Sequence, residues 1–167
     1  MKIAIISDSH DNLATMEKFI AFFKKEKLGA IVHCGDISSG ETLAILADKT
    51  QTDIVAALGN ADDPWDLAAT IKKRPRVRLF KGLGSAEIGG LRLGFCHYKE
   101  MGARNCGKNR FDFIFYGHSH MPWMEEINGS ILANPGNLAG MIYKASFAVL
   151  DTGSKRLDLK IVDRLQH

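Results

Sequence analysis

The amino-acid sequence predicts an α/β fold extended by antiparallel strands. Three observations carry the prediction. Short apolar runs alternate with amphipathic stretches through Leu58, two-residue turns separate strand-like runs in the second half, and polar residues recur where those runs end.

Ile3 to Ile6 is a continuous apolar run ending in Ser7-Asp8-Ser9-His10, the pattern of a strand covered on both faces. A helix follows. Asp11 or Asn12 can cap it, Leu13, Met16, Phe19, Ile20 and Phe23 recur at helical spacing, and Lys24, Lys25 and Lys27 precede Gly29 at its end. The strand Ala30 to Cys34 runs into Gly35-Asp36, and Ser38-x-x-Glu41 reads as a capping box opening a helix through about Asp48. Asp53 to Leu58 makes a third strand. Strands and helices alternating at this spacing imply parallel strands joined by crossover helices, with functional loops at the carboxyl ends. Those ends carry Asp8, Asp36 and Asn60.

In the second half, Ile88-Gly89-Gly90-Leu91 and Ile127-Asn128-Gly129-Ser130 each place a two-residue turn between strand-like runs, the signal of antiparallel hairpins. Phe111 to Tyr116 and Ser146 to Asp151 add apolar strands, and Lys155 to Asp163 alternates Leu157, Leu159 and Ile161 inward. A mixed sheet followed by a largely antiparallel one gives two layers that face each other, with helices outside. With no repeat, low-complexity tract or linker, residues 1–167 read as one domain.

A chain of 167 residues, 46% of them hydrophobic, can bury one core. The net charge of +3 is too mild to imply nucleic-acid binding. Lys72, Lys73, Arg74, Arg76, Arg78 and Lys81 cluster, either as the solvated edge of a short strand or as a patch steering a phosphate substrate. The apolar start is far too short for a signal peptide or a membrane span, so no membrane partner is expected. Cys34, Cys96 and Cys106 form no CxxC pair and are odd in number, which points to buried thiols in a reducing, cytoplasmic setting. Trp65, Trp123, Met121 and Met124 are expected in the core; the alternative is an exposed contact patch, and with it a homo-oligomer.

The chemistry lies at strand ends: Asp8-Ser9-His10, Gly35-Asp36, Gly59-Asn60, Cys96-His97 and Gly117-His118-Ser119-His120. In extended chain, residues two apart point the same way, so Asp8 with His10, and His118 with His120, can each converge on one centre. A lone Asp-x-His is weak, Gly-Asn often marks a turn and Gly-Asp often caps a helix. Their joint occurrence carries the signal. Of the six histidines four lie in these motifs; His167 is terminal, and His33 is read as a buried structural residue, with a supporting role near Asp36 as the alternative.

This ordered set resembles the calcineurin-like metallophosphoesterase superfamily over nearly the whole chain. Gly59-Asn60-Ala61-Asp62 and Asn134-Pro135-Gly136 further resemble its small YfcE-like bacterial and archaeal phosphodiesterases. The resemblance implies a four-layer αββα sandwich of two mixed β-sheets flanked by helices. It implies one divalent metal held by Asp8, His10, Asp36 and His120, and a second held by Asp36, Asn60, His97 and His118, with Asp36 bridging. Manganese is the expected ion, and nickel, iron or zinc suit the same ligands. The implied reaction is hydrolysis of a P–O bond in a small-molecule phosphodiester by a hydroxide bridging the ions. Two departures stand out: Tyr98-Lys99 follows His97 where relatives carry Gly-His, and Ala61 replaces a residue that assists the leaving group. The rival readings are a metal-holding interaction scaffold like the retromer subunit of this fold and, ranked below it, a nuclease.

Overall fold

Successive strand side chains point to opposite faces, and the first strand fills both. In β1 (Lys2–Ile6), Ile3 and Ile5 enter one apolar cluster while Ala4 and Ile6 enter another. The computed structural model describes residues 1–108 and 110–165, so the expectation for His167 lies outside the described residues. The order continues with α1 (Leu13–Lys25), β2 (Ala30–His33), α2 (Gly40–Thr50), β3 (Asp53–Ala57), α3 (Pro64–Ile71) and β4 (Val77–Phe80). Then come β5 (Gly84–Ile88), β6 (Leu91–Phe95), α4 (Lys99–Asn105), β7 (Phe113–Phe115), β8 (Trp123–Ile127), β9 (Ser130–Asn134), β10 (Ser146–Asp151), β11 (Arg156–Ile161) and a short 3₁₀ turn at Val162–Arg164.

Two mixed sheets result, one ordered β11-β10-β1-β2-β3-β4 and the other β5-β6-β7-β9-β8. Between them lie Ile3, Ile5, Val32, Val55, Phe95, Phe113, Phe115 and Leu150. Met16, Phe19, Leu43, Leu46, Leu67 and Phe147 pack the three N-terminal helices onto the first sheet, and Met101, Cys106, Ile114 and Leu132 pack α4 onto the second. This is the expected αββα layering. Each fully buried Ile, Leu or Phe contributes about 1.5–3 kcal/mol, so a one-residue slip of β1, which moves its side chains to the wrong face, is strongly disfavoured.

The registers create the site. Ile6 pairs with His33 across parallel β1 and β2, and His33 with Ala56 across parallel β2 and β3, so the loops after all three strands emerge level. In the other sheet Phe95 pairs with Phe115 across parallel β6 and β7, which brings the loops carrying His97 and His118 out together.

Several expectations are corrected. The capping residue of α2 is Ser39, whose side chain accepts from Thr42 N–H; Ser38 has φ 82° and stands outside the helix. Helix α1 is capped by Asn12 and ends at Lys25, and Lys27, not Gly29, takes the left-handed conformation there. The second sheet is less antiparallel than its hairpins suggested, because β7 runs parallel to both neighbours. Strand β11 is an edge: Leu157 packs inward, but Leu159 is exposed. Trp65 (86% exposed), Trp123, Met121 and Met124 lie at the surface instead of in the core. The three cysteines are buried and free, as expected. No described helix is long and apolar enough to cross a membrane.

Candidate metal centre

All seven candidate residues converge where the two sheets present their loops. Asp8, His10 and His120 form one group whose donor atoms lie within 4.8 Å of one another, and Asp36, His97 and His118 form a second on the same criterion. Asp36 Oδ2 stands between them, 3.6 Å from His10 Nε2 and 3.4 Å from His97 Nε2. Asn60 joins the second group through Oδ1, 3.0 Å from His97 Nε2.

The backbone is bent to achieve this. Asp8 (φ 51°), His10 (41°), Asp36 (56°), His118 (66°) and His120 (59°) all occupy the left-handed region, which non-glycine residues rarely adopt and which persists only where neighbours enforce it. Asp8 N–H donates to Gly35 carbonyl (3.0 Å), His10 N–H to Asp36 carbonyl (3.1 Å), and Ala139 N–H to Asp8 carbonyl (3.0 Å). Glycines permit the close approach: a Cβ on Gly59 would overlap Asp36 Oδ1, and one on Gly117 would overlap Ser7 Oγ and stand 2.8 Å from Asp8 Oδ2.

The donor set calls for positive charge. His97 Nδ1 lies 2.9 Å from the Cys34 carbonyl, an acceptor only, so Nδ1 carries a proton and Nε2 is the ring atom turned toward the oxygens of Asn60 and Asp36. A proton on Nε2, or a cation in its place, reconciles these facing atoms. Burial pushes His97 down, but the Asp36 carboxylate and the Cys34 carbonyl outweigh it, and the net shift is upward. In the first group, His10 Nε2 and His120 Nε2 face each other at 3.3 Å, with Asp8 Oδ1 3.4 Å from the latter, while the buried His120 Nδ1 has no hydrogen-bond partner among the described residues. A divalent ion in either group resolves these contacts.

Burial raises Asp8 to about 6. Burial also pushes Asp36 up, but the His97 ring and the Ala61 N–H, 2.8 Å away, outweigh it and hold Asp36 below the ordinary carboxylate range. Cys34 is buried, and burial pushes its thiol far up, so it stays protonated and offers no thiolate to a metal. His33 is structural: Gly35 N–H donates to Nδ1 (3.2 Å), which leaves Nε2–H to donate to Ser9 Oγ (3.0 Å), tying the loop of Asp8 to that of Asp36. Burial lowers its pKa to about 3, so it remains neutral.

Sequence reasoning missed the residues that hold these loops. Asp62 accepts from Asp36 N–H (3.1 Å), Ser38 N–H (2.7 Å) and Gly59 N–H (2.7 Å), joining two ligand loops through one carboxylate. Asn134 donates to Gly117 carbonyl (2.9 Å) and Ser119 Oγ (3.0 Å), and Asn137 to His120 carbonyl (3.2 Å). The motifs around Asn60 and Pro135 contained Asp62 and Asn134; nothing in the sequence marked Asn137.

Residues 1–155 match the family model described as the calcineurin-like phosphoesterase superfamily domain. This chain belongs to that superfamily. Phosphodiesterase MJ0936 of Methanocaldococcus jannaschii is 29% identical over 161 residues, covering 93% of this chain and 95% of its own. A probable metallophosphoesterase of Methanothermobacter thermautotrophicus is 27% identical, with coverage of 97% and 92%. A solved archaeal phosphodiesterase superposes with a TM-score of 0.88 at 27% identity, covering 96% of this chain and 99% of that one. Escherichia coli YfcE, a phosphoesterase, superposes at 0.69 and Vps29 of Entamoeba histolytica at 0.70, with 20% and 18% identity, and these two attest the fold alone. Calcineurin-like phosphoesterases act through divalent metal ions, and the two donor groups of this chain fit such ions by chemistry and spacing. The chain is thus a phosphoesterase-superfamily member whose relatives include proteins named as phosphodiesterases.

Proposed function

We propose that this metallophosphoesterase hydrolyses small-molecule phosphodiesters with two divalent ions, manganese by expectation, and that residues 1–167 work as one domain. Asp8, His10, Asp36 and His120 would hold one ion, and Asp36, Asn60, His97 and His118 the other. The observation that carries the assignment is Asp36 Oδ2, within 3.6 Å of His10 Nε2 and 3.4 Å of His97 Nε2, where a single carboxylate can serve both groups. Divalent ions held by these residues would supply acidification of a water and neutralisation of charge on phosphoryl oxygens. The protein's own part is to keep this constellation rigid before substrate arrives: His33 neutral between two loops, Asp62 on three amides, and the glycines open to close approach. Imidazole and oxygen donors without thiolate suit manganese, iron, nickel and zinc. Three free, buried thiols fit a reducing cytoplasm.

The test is hydrolysis of bis(4-nitrophenyl) phosphate. Activity is expected to vanish on chelation, return with Mn²⁺, and fall in Asp36→Asn by more than the roughly 10–100-fold typical of residues one step removed from a metal. An Asp36→Asn enzyme with full activity sinks the proposal. A metal-holding scaffold is the second reading, supported by the exposed Trp123, Met124 and Leu159 lining one cleft between β8 and β11. It predicts stoichiometric metal with no diester turnover. The same cleft is where a homo-oligomer would form, and gel filtration with light scattering tests it.

A further inference from the structure

Tyr98 follows His97 directly. Its ring stands edge-on to His97 at 5.0 Å and to His118 at 4.8 Å between centroids, and its hydroxyl lies 3.4 Å from Asn60 Oδ1. It therefore touches three residues of the second donor group, yet remains 38% exposed. A 3.4 Å separation is long for an O–H···O bond, whose usual length is about 2.7–2.8 Å, so this donor is weakly held and free to turn. Two neighbouring positions offer no competing donor. Ala61 has only a methyl group, and its N–H serves Asp36. Lys99 is drawn away to Glu125 (2.7 Å) and the Trp123 ring.

We infer that Tyr98 is a further catalytic residue, whose hydroxyl gives a hydrogen bond to the departing oxygen of the diester where Ala61 can give none. The inference rests on the proposed phosphodiesterase reading. An in-line displacement whose nucleophile comes from the buried donor atoms would direct the leaving group toward solvent, and Tyr98 is the partly exposed member of the contacts around the second group. A water oxygen forms the new P–O bond and gives up its proton to solvent, and as the old P–O bond breaks its electron pair passes to the departing oxygen. Tyr98 stabilises that charge and keeps its own proton, and solvent supplies the proton that neutralises the product.

The experiment compares wild type, Tyr98→Phe and Tyr98→Ala on methyl aryl phosphodiesters running from 4-nitrophenyl to unsubstituted phenyl, with metal content and melting temperature measured for each protein. Tyr98→Phe is expected to keep its metal and to lose activity on both esters, with a loss on the phenyl ester about tenfold or more greater than on the 4-nitrophenyl ester, because more charge needs stabilising there. Its rates would then fall more steeply with leaving-group basicity than those of wild type. An unchanged slope overturns the inference, whether the loss is uniform, absent, or accompanied by lost metal, the last meaning that Tyr98 only braces His97 and His118. Tyr98→Ala is expected to share the steeper slope. A wild-type protein without metal-dependent hydrolysis defeats the phosphodiesterase reading itself, and is recognised before any variant is compared.

Discussion

In the group of Asp8, His10 and His120, the carboxylate is fully buried and burial lifts it to about 6. In the group of Asp36, His97 and His118, burial acts on Asp36 too, but His97 and the Ala61 amide overcome it, and the raised group is the His97 ring. The two halves of the centre therefore raise the proton affinity of different groups, a carboxylate in one and an imidazole in the other. The difference teaches that equal ligand counts do not make equal sites: each ion must displace a proton of different acidity.

The sharpest way to break this comparison is to remove one ligand from each side. His10→Ala and His118→Ala are each expected to lower metal content from about two ions per chain toward one, with the surviving ion in a different group, as elemental analysis and anomalous scattering would reveal. Loss of both ions from either variant would mean that the groups are not separable. Next in size is His33→Asn, which loosens the tie between the two loops and is expected to weaken metal affinity by roughly 10–100-fold. His33 also carries a pH signature in the metal-free protein. Its folded pKa of about 3 lies below the ordinary 6.5, so its contribution to stability is complete above 6.5 and is lost as pH falls toward 3. The stability gap between wild type and His33→Asn should narrow by about 1.4 kcal/mol per pH unit in that window, and a constant gap in denaturant melts would refute this. The smallest effect concerns order of loss. As pH is lowered, uptake at the His97 side should weaken first, beginning above 6.5, and the Asp8 side should follow near 6. Titrating metal content of the two single-ligand variants against pH checks the sequence.

What the sequence disclosed best was periodic or punctuated. Gly89-Gly90 and Asn128-Gly129 marked both hairpins because two-residue turns of that kind need left-handed backbone, and these residues adopt it (φ 59°, 80°, 50° and 79°). The seven polar residues at strand ends were legible as a set, and the structure gathers them, although the metal-holding role of each stays a proposal. The missed elements have physical reasons. Helix α4 spans only seven residues, contains Gly102 and has no side-chain cap, so it carries little propensity of its own and forms because Gly102 fits closely against Leu132 and Ile114. Helix α3 did carry a signal, Asp63 capping and Pro64 at its first turn, beside a cluster of cations that drew attention to charge instead. The parallel direction of β7 depends on α4 as a crossover and was hidden with it. Burial of Trp65 or Trp123 was never legible, because a large apolar side chain reads alike in a core and on a surface.

The left-handed backbone at Asp8, His10, Asp36, His118 and His120 has a consequence for how the enzyme is supplied with its ions. Because the chain folds these bends in place through amide and carboxylate contacts of its own, the ligand atoms stand ready without any loop closing over the cation. A cradle that does not shut exerts little choice by induced fit and holds its guest no longer than the ligand bonds alone dictate. Choice among divalent ions would then fall to ligand type, to the fixed spacing of the donors and to which metal is at hand.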